Sequence, residues 1–185
     1  MQLLVKDHKP RKPNGDFKTR LVVPAKNFTA GFPHVGYKRI KKVISDQQVN
    51  YTEKTIIQAS DLKEKLEKLN IRQSQNTIAS FDAECMYPSV KFTQVKRAVE
   101  YFLRDAPKSA KDTATKCLEM IKFGMANTLV TFQGQYWEYG GKCDVEEKGL
   151  TIGGFESAWL ADLVAAYILE NAVDLLLNME INGIY

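Results

Sequence analysis

Short runs of alternating or continuous apolar residues open the chain. QLLVK and TRLVVPA each read as a short strand. The stretch between them, punctuated by Pro10, Pro13 and the Asn14–Gly15 pair, reads as a turn-rich loop carrying Lys9, Arg11, Lys12 and Lys18. From about residue 34 to 48 the apolar spacing becomes helical and the polar face basic, with Lys38, Arg39, Lys41 and Lys42. A second helix is marked by Asp61 as a cap, Glu64 three residues later and a stripe of Leu62, Leu66 and Leu69. NTIASF is a β-prone run ending at Asp82, and Pro88 keeps it from continuing as a central strand. The pattern then predicts helices over 94–104 and 110–125, and a hairpin in which LVTF and QYWEY flank Gln133 and Gly134. A glycine-bearing acidic loop leads into a long helix over about 153–178, apolar on nearly every face and therefore expected to lie under a sheet. No repeat or low-complexity tract interrupts this order, which is a mixed α/β (α+β) arrangement of short strands and long helices.

Composition agrees with a chain that builds a core: 185 residues, 44% hydrophobic and 26% charged. The most apolar segment, AWLADLVAAYILE, is broken by Asp162 and closed by Glu170, so no membrane span is expected. The amino terminus lacks a basic leader with a long apolar run, so an intracellular setting, nuclear or cytoplasmic and not secreted, is expected. Cys85, Cys117 and Cys143 are odd in number and far apart, which argues for reduced, mostly buried thiols rather than disulfide or zinc frameworks. The net charge of +4 conceals an asymmetry. Residues 1 to 45 hold eleven Lys and Arg against Asp7 and Asp16, a surplus of nine cations, which leaves the remainder at −5. Such a segment is either a footprint for phosphates or a solvated lysine-rich surface.

Asp82 is the first candidate for chemistry. A carboxylate closing a buried strand is costly unless it is paired, hydrogen-bonded or bound to a cation. Magnesium takes few protein carboxylates and completes its shell with phosphate oxygens and water, so one Asp facing a basic surface is chemically sensible. Helix capping and a structural ion pair are the ordinary alternatives.

FDAECMYPSV resembles the first palm motif of reverse transcriptases, a strand-terminal Asp followed five residues later by an aromatic. VKDHKP and FKTRLVVP are similar to fingers strands of the Penelope-like retroelement enzymes, and SDLKEKLEKLNI lies where that family places a helix. FQGQYWEYGGKCDVEEKGLTIGGFESAWLADLVAAYILE resembles the next palm motif: a hairpin, a glycine-rich turn, then a helix with Leu-Ala-Asp. The resemblance covers nearly the whole chain in order. It implies a single right-hand polymerase unit, fingers over about 1–75 and the first half of the palm over about 76–185, interleaved with fingers helices.

Carried over by position, the resemblance implies that Asp82 and the backbone carbonyl of Ala83 hold catalytic magnesium, or manganese. Tyr87 would lie beneath the incoming sugar, where bulk excludes a 2'-hydroxyl; an ordinary core aromatic is the alternative. Arg20, with Lys18 or Lys6, would grip the triphosphate. Gly153 and Gly154, with Gly149, would let backbone approach nucleotide and template; a simple loop and helix start is the alternative. Lys9, Arg11, Lys12, Lys38, Arg39, Lys41 and Lys42 form the expected nucleic-acid surface. The implied partners are an RNA or DNA template with primer and deoxynucleoside triphosphates. The chain departs from the family where Gly154 and Phe155 stand in place of a small hydroxyl residue and a proline. INGIY supplies the aromatic of the family's aromatic-x-Asp-Asp turn without its aspartates. The expectation is therefore a fragment inactive alone, because two-metal phosphoryl transfer needs carboxylates from both motifs. A basic, non-catalytic nucleic-acid-binding module is the rival from another class.

Overall fold

The computed structural model describes residues 2–5, 11–16, 19–23, 29–49, 60, 63–64, 67, 83, 85–141 and 143–178. In chain order the elements are strand β1 (Gln2–Val5), strand β2 (Thr19–Val22), helix α1 (Gly31–Asp46), the short helix α2 (Met86–Ser89), α3 (Phe92–Phe102), α4 (Lys108–Ala126), strands β3 (Leu129–Phe132) and β4 (Gln135–Glu138), a 3-10 turn (Val145–Glu147) and α5 (Ser157–Asn178). The described part is a helix-rich α+β arrangement with two antiparallel two-stranded sheets. β1 pairs with β2 so that Leu4 faces Arg20 in register, and β3 pairs with β4 so that Val130 faces Trp137. The Gln133–Gly134 turn has positive φ at both residues, 51° and 75°, as a two-residue hairpin turn whose twist matches its strands requires.

The core follows from helical spacing. In α3 the buried residues are Phe92, Val95, Ala98, Val99 and Phe102, one stripe along one side. Gln94 accepts from the Lys91 N–H at 2.8 Å and so satisfies an orphan donor at the helix start. Ile40 and Ile44 of α1, Leu118 and Ile121 of α4, and Leu160, Leu163 and Val164 of α5 complete the same cluster. Each such aliphatic side chain contributes about 1.5–3 kcal/mol by leaving water. α1 and α4 run antiparallel and very close. A Cβ on Gly36 would stand 2.8 Å from the Cys117 carbonyl oxygen, and one on Gly124 would stand 2.6 Å from the Pro33 ring. Glycine is what permits that approach.

Several expectations are corrected. The final helix begins at Ser157, not near residue 153, because Gly153 has φ +108° and residues 153–156 turn before the helix starts. That helix packs on α3 rather than under a sheet, and Ala158, Asp162, Ile168 and Leu169 are exposed. The thiols are not mostly buried: Cys117 is, but Cys85 and Cys143 occupy exposed turn positions. Of the helix expected near residue 61, the described residues are Ser60, Lys63, Glu64 and Glu67, which are helical and exposed, with Lys63 and Glu67 paired at 3.7 Å. Its leucine stripe and the strand ending at Asp82 lie outside the described residues. Among the described residues no helix is long and apolar enough to cross a membrane.

Candidate functional site

Three segments far apart in sequence meet at backbone level: the end of β2, the α2 segment that holds Tyr87, and the loop 149–154. Cys85, with φ +51°, turns the chain into α2. Leu150 N–H then donates to the carbonyls of Tyr87 at 3.0 Å and Val90 at 3.1 Å, and Lys91 forms an antiparallel bridge with Gly149. Gly149 lies so close on Pro88 that a Cβ would collide with the Pro88 carbonyl. On the loop's other side, Val23 N–H donates to the Ile152 carbonyl at 2.8 Å. A Cβ on Gly153 would collide with the Val23 carbonyl. These two glycines are thus the points at which the loop is clamped between α2 and β2.

Gly154 has a different reason. A Cβ there would run into Ser157 Oγ, and it would stand 2.9 Å from both Glu156 Oε1 and Thr151 Oγ1. Those oxygens occupy the space that a side chain at 154 would need. Glu156 is buried at 8% exposure, and its desolvation pushes the carboxyl above the ordinary carboxylate range. Ser157 Oγ is buried with no hydrogen-bond partner among the described residues. Val23, Thr29, Thr128, Thr151, Gly154 and Glu156 border a cavity of about 20 Å³ beside them. Phe155 is half exposed and meets the His34 ring edge-on at 5.0 Å.

The hairpin braces the loop from the far side. Lys148 is 3% exposed, ion-paired with Glu138 of β4, and also donates to the Ala126 carbonyl at 3.4 Å. Tyr139 OH reaches the Leu150 carbonyl at 3.4 Å, and burial raises its pKa. The roomier cavities, about 300 and 340 Å³, share Arg104 at the opposite end of α3 and border none of these residues.

Among the residues expected from sequence, Tyr87, Gly149, Gly153 and Gly154 come together here. Tyr87 is half-buried against the core, so its ring also packs. Arg20 sits in β2, three residues before Val23, and nothing of its side chain is described. Arg11 and Lys12 are exposed in the turn after β1, and Lys38, Arg39, Lys41 and Lys42 are exposed along α1. Ala83 is exposed, while Asp82, Lys6, Lys9 and Lys18 lie outside the described residues. Among the described residues no three His, Cys, Asp or Glu gather as a metal-holding group. Sequence reading passed over Glu156, Ser157, Lys148 and Val23. A charged residue two positions after a glycine pair and just before an apolar helix was the available signal for Glu156. For Val23, contact across 129 residues leaves none.

No protein-family model matches the chain, and neither a curated protein nor a solved structure matches it.

Proposed function

We propose that this chain is the fingers and first part of the palm of a reverse-transcriptase-type polymerase. Its parent reaction is attack of a primer 3'-hydroxyl on the α-phosphate of a deoxynucleoside triphosphate. The observation that supports this reading is the three-segment junction: the three stretches that resemble reverse transcriptase motifs independently are the ones whose backbones are clamped together by Gly149 and Gly153. An unrelated chain with chance resemblances has no reason to bring them into register.

In this reading Tyr87 screens the sugar by bulk, and Arg20 at the edge of the junction offers a guanidinium fork for phosphate oxygens. The glycine loop lets backbone approach the nucleotide. Asp82 and the Ala83 carbonyl are the groups that would hold magnesium, which would neutralise charge on the transferring phosphoryl group. The protein's own contribution is then position and fixed charge.

The test is primer extension with labelled nucleotide, run on this chain and on one carried past Tyr185 to an aspartate pair, with nucleotide binding measured in parallel. Synthesis by the longer form, lost in its Asp82→Asn variant, is the expected result. Tyr87→Ala should admit ribonucleotides at least about tenfold more readily, the scale of one steric contact worth about 1.4 kcal/mol. If the folded longer form binds nucleic acid with steep salt dependence but neither binds nucleotide nor extends a primer, catalysis is abandoned for the binding-module reading.

A further inference from the structure

The solvent face of α1 is not an ordinary lysine-rich surface. Pro33, Gly36, Ile40 and Ile44 are buried, which leaves Phe32, Val35, Arg39 and Lys42 in a row on the exposed side at helical spacing. Phe32 and Phe123 of α4 are both about half exposed and meet edge-to-face with centroids 5.0 Å apart. Two exposed phenylalanine rings in contact at the lip of a helix pair are an unusual use of surface. Further along, the charge of Arg39 is felt on α4: burial raises the pKa of the Cys117 thiol, and the guanidinium pulls it partly back. Lys116, exposed on α4, adds a third cation beside this stretch.

Charge on this face is unbalanced. α1 has four cations before its one carboxylate, Asp46, at the far end. None of Lys38, Arg39, Lys41, Lys42 or Lys116 forms a salt bridge among the described residues. On α4 the exposed stripe also carries two carboxylates, Asp112 one turn before Lys116 and Glu119 between Lys116 and Phe123, against the four cations of α1. An anionic partner therefore fits better than a cationic or purely apolar one. The aromatic pair narrows the choice, because stacking requires unpaired bases, whereas the bases of a duplex are already stacked on one another. A membrane surface fits less well: α1 has committed its apolar face to α4, and the three exposed apolar side chains, Phe32, Val35 and Phe123, are a poor anchor.

We propose that this face of α1 and α4 is a binding track for single-stranded nucleic acid, with bases stacking at Phe32 and Phe123 and phosphates running past Arg39, Lys42 and Lys116. The track goes beyond the nucleotide site and does not depend on it, since binding here needs neither nucleotide nor metal.

Fluorescence anisotropy with a labelled oligothymidylate, without nucleotide or divalent metal, tests it. Phe32→Ala with Phe123→Ala should weaken binding about tenfold or more, the scale of one lost base–aromatic stack. Phe32→Leu, which keeps the contact with Phe123 but not the flat ring, should show a smaller loss and guards against a folding defect. Arg39→Gln with Lys42→Gln should lower the slope of log affinity against log salt by about 1.4, at about 0.7 per phosphate contact. Tyr136→Ala, at a still more exposed aromatic on the hairpin, should change nothing. The proposal is overturned if duplex binds as tightly as single strand, if the phenylalanine variants bind like the parent, or if Tyr136→Ala weakens binding as much. It is also overturned if the phenylalanine variants lose phosphatidylserine vesicles but keep the oligonucleotide. Failure of primer extension with these results intact would remove the polymerase reading and leave the track standing.

Discussion

At the residue scale, the glycine loop shows how one missing methyl decides geometry. Gly153 has φ +108°, a conformation L side chains rarely adopt, and its Cα faces the Val23 carbonyl, so Gly153→Ala meets both backbone strain and a collision with β2. A loss of about 2–4 kcal/mol by chemical denaturation is expected, from strain of about 1–3 kcal/mol plus the displaced carbonyl. Gly134 also has positive φ but opens to solvent, so Gly134→Ala should cost about 1 kcal/mol, from strain alone. Equal losses would show that the junction with β2 contributes nothing. Glu156 makes a second residue-scale prediction. Burial raises its carboxyl above the unfolded value, so the folded state holds the proton where the unfolded state has released it. Stability from this group is fully present below the ordinary glutamate range and is lost as pH rises through the raised value. Glu156→Gln should flatten that fall and gain stability at neutral pH, read from urea midpoints across mildly acidic to neutral pH; an unchanged pH profile would refute the assignment. Gly153 was legible in the sequence as a special glycine, whereas the reason for Gly154 was not, because it lies in the side-chain oxygens of Thr151, Glu156 and Ser157 on either side of it.

At the element scale, helix identities were readable from spacing, and their ends less so. The pattern over 94–104 and 110–125 matches α3 and α4 to within two residues, because amphipathic periodicity survives in any context where one face is buried. The start of α5 was misplaced because apolar residues continue through 150–155 while the backbone turns at Gly153. What α5 packs on could not be read at all: a helix apolar on most sides fits a helix or a sheet equally, and α3 supplies the complementary stripe. The α1–α4 contact depends on two glycines. Gly36→Ala would press a methyl on the Cys117 carbonyl, which belongs to the rigid helix backbone, and Gly124→Ala would press on the Pro33 ring. Each should cost about 1–3 kcal/mol, the range for overpacking a tight contact, despite alanine's better helix propensity. Thermal melts that rise for either variant would show that the helices separate easily.

At the scale of the whole molecule, α1, α3, α4 and the first half of α5 share one buried cluster, while β4 has every residue exposed. Amide exchange should follow that division. Ile40, Ile121 and Leu160 should exchange together with the free energy of global unfolding, and Gln135–Glu138 should exchange faster through local opening. Separate protection levels for α1 and α5 would mean two cores. Part of the basic surplus of residues 1 to 45 is displayed at the surface, by Arg11 and Lys12 in the first turn and by Lys38, Arg39, Lys41 and Lys42 on α1.

The sequence by itself determined the helices over 94–104 and 110–125 to within two residues, the hairpin with its Gln133–Gly134 turn, and the basic leading segment. These depend on local periodicity and on φ preferences, which a chain carries before it folds. Only the tertiary structure decided that β2, the Tyr87 segment and the 149–154 loop share one junction, that Glu156 fills the space beside Gly154, and that Phe32 meets Phe123 on an open face. Each of those depends on contacts between residues far apart in the chain, and their energies come from shape and exclusion of water rather than from any pattern along it.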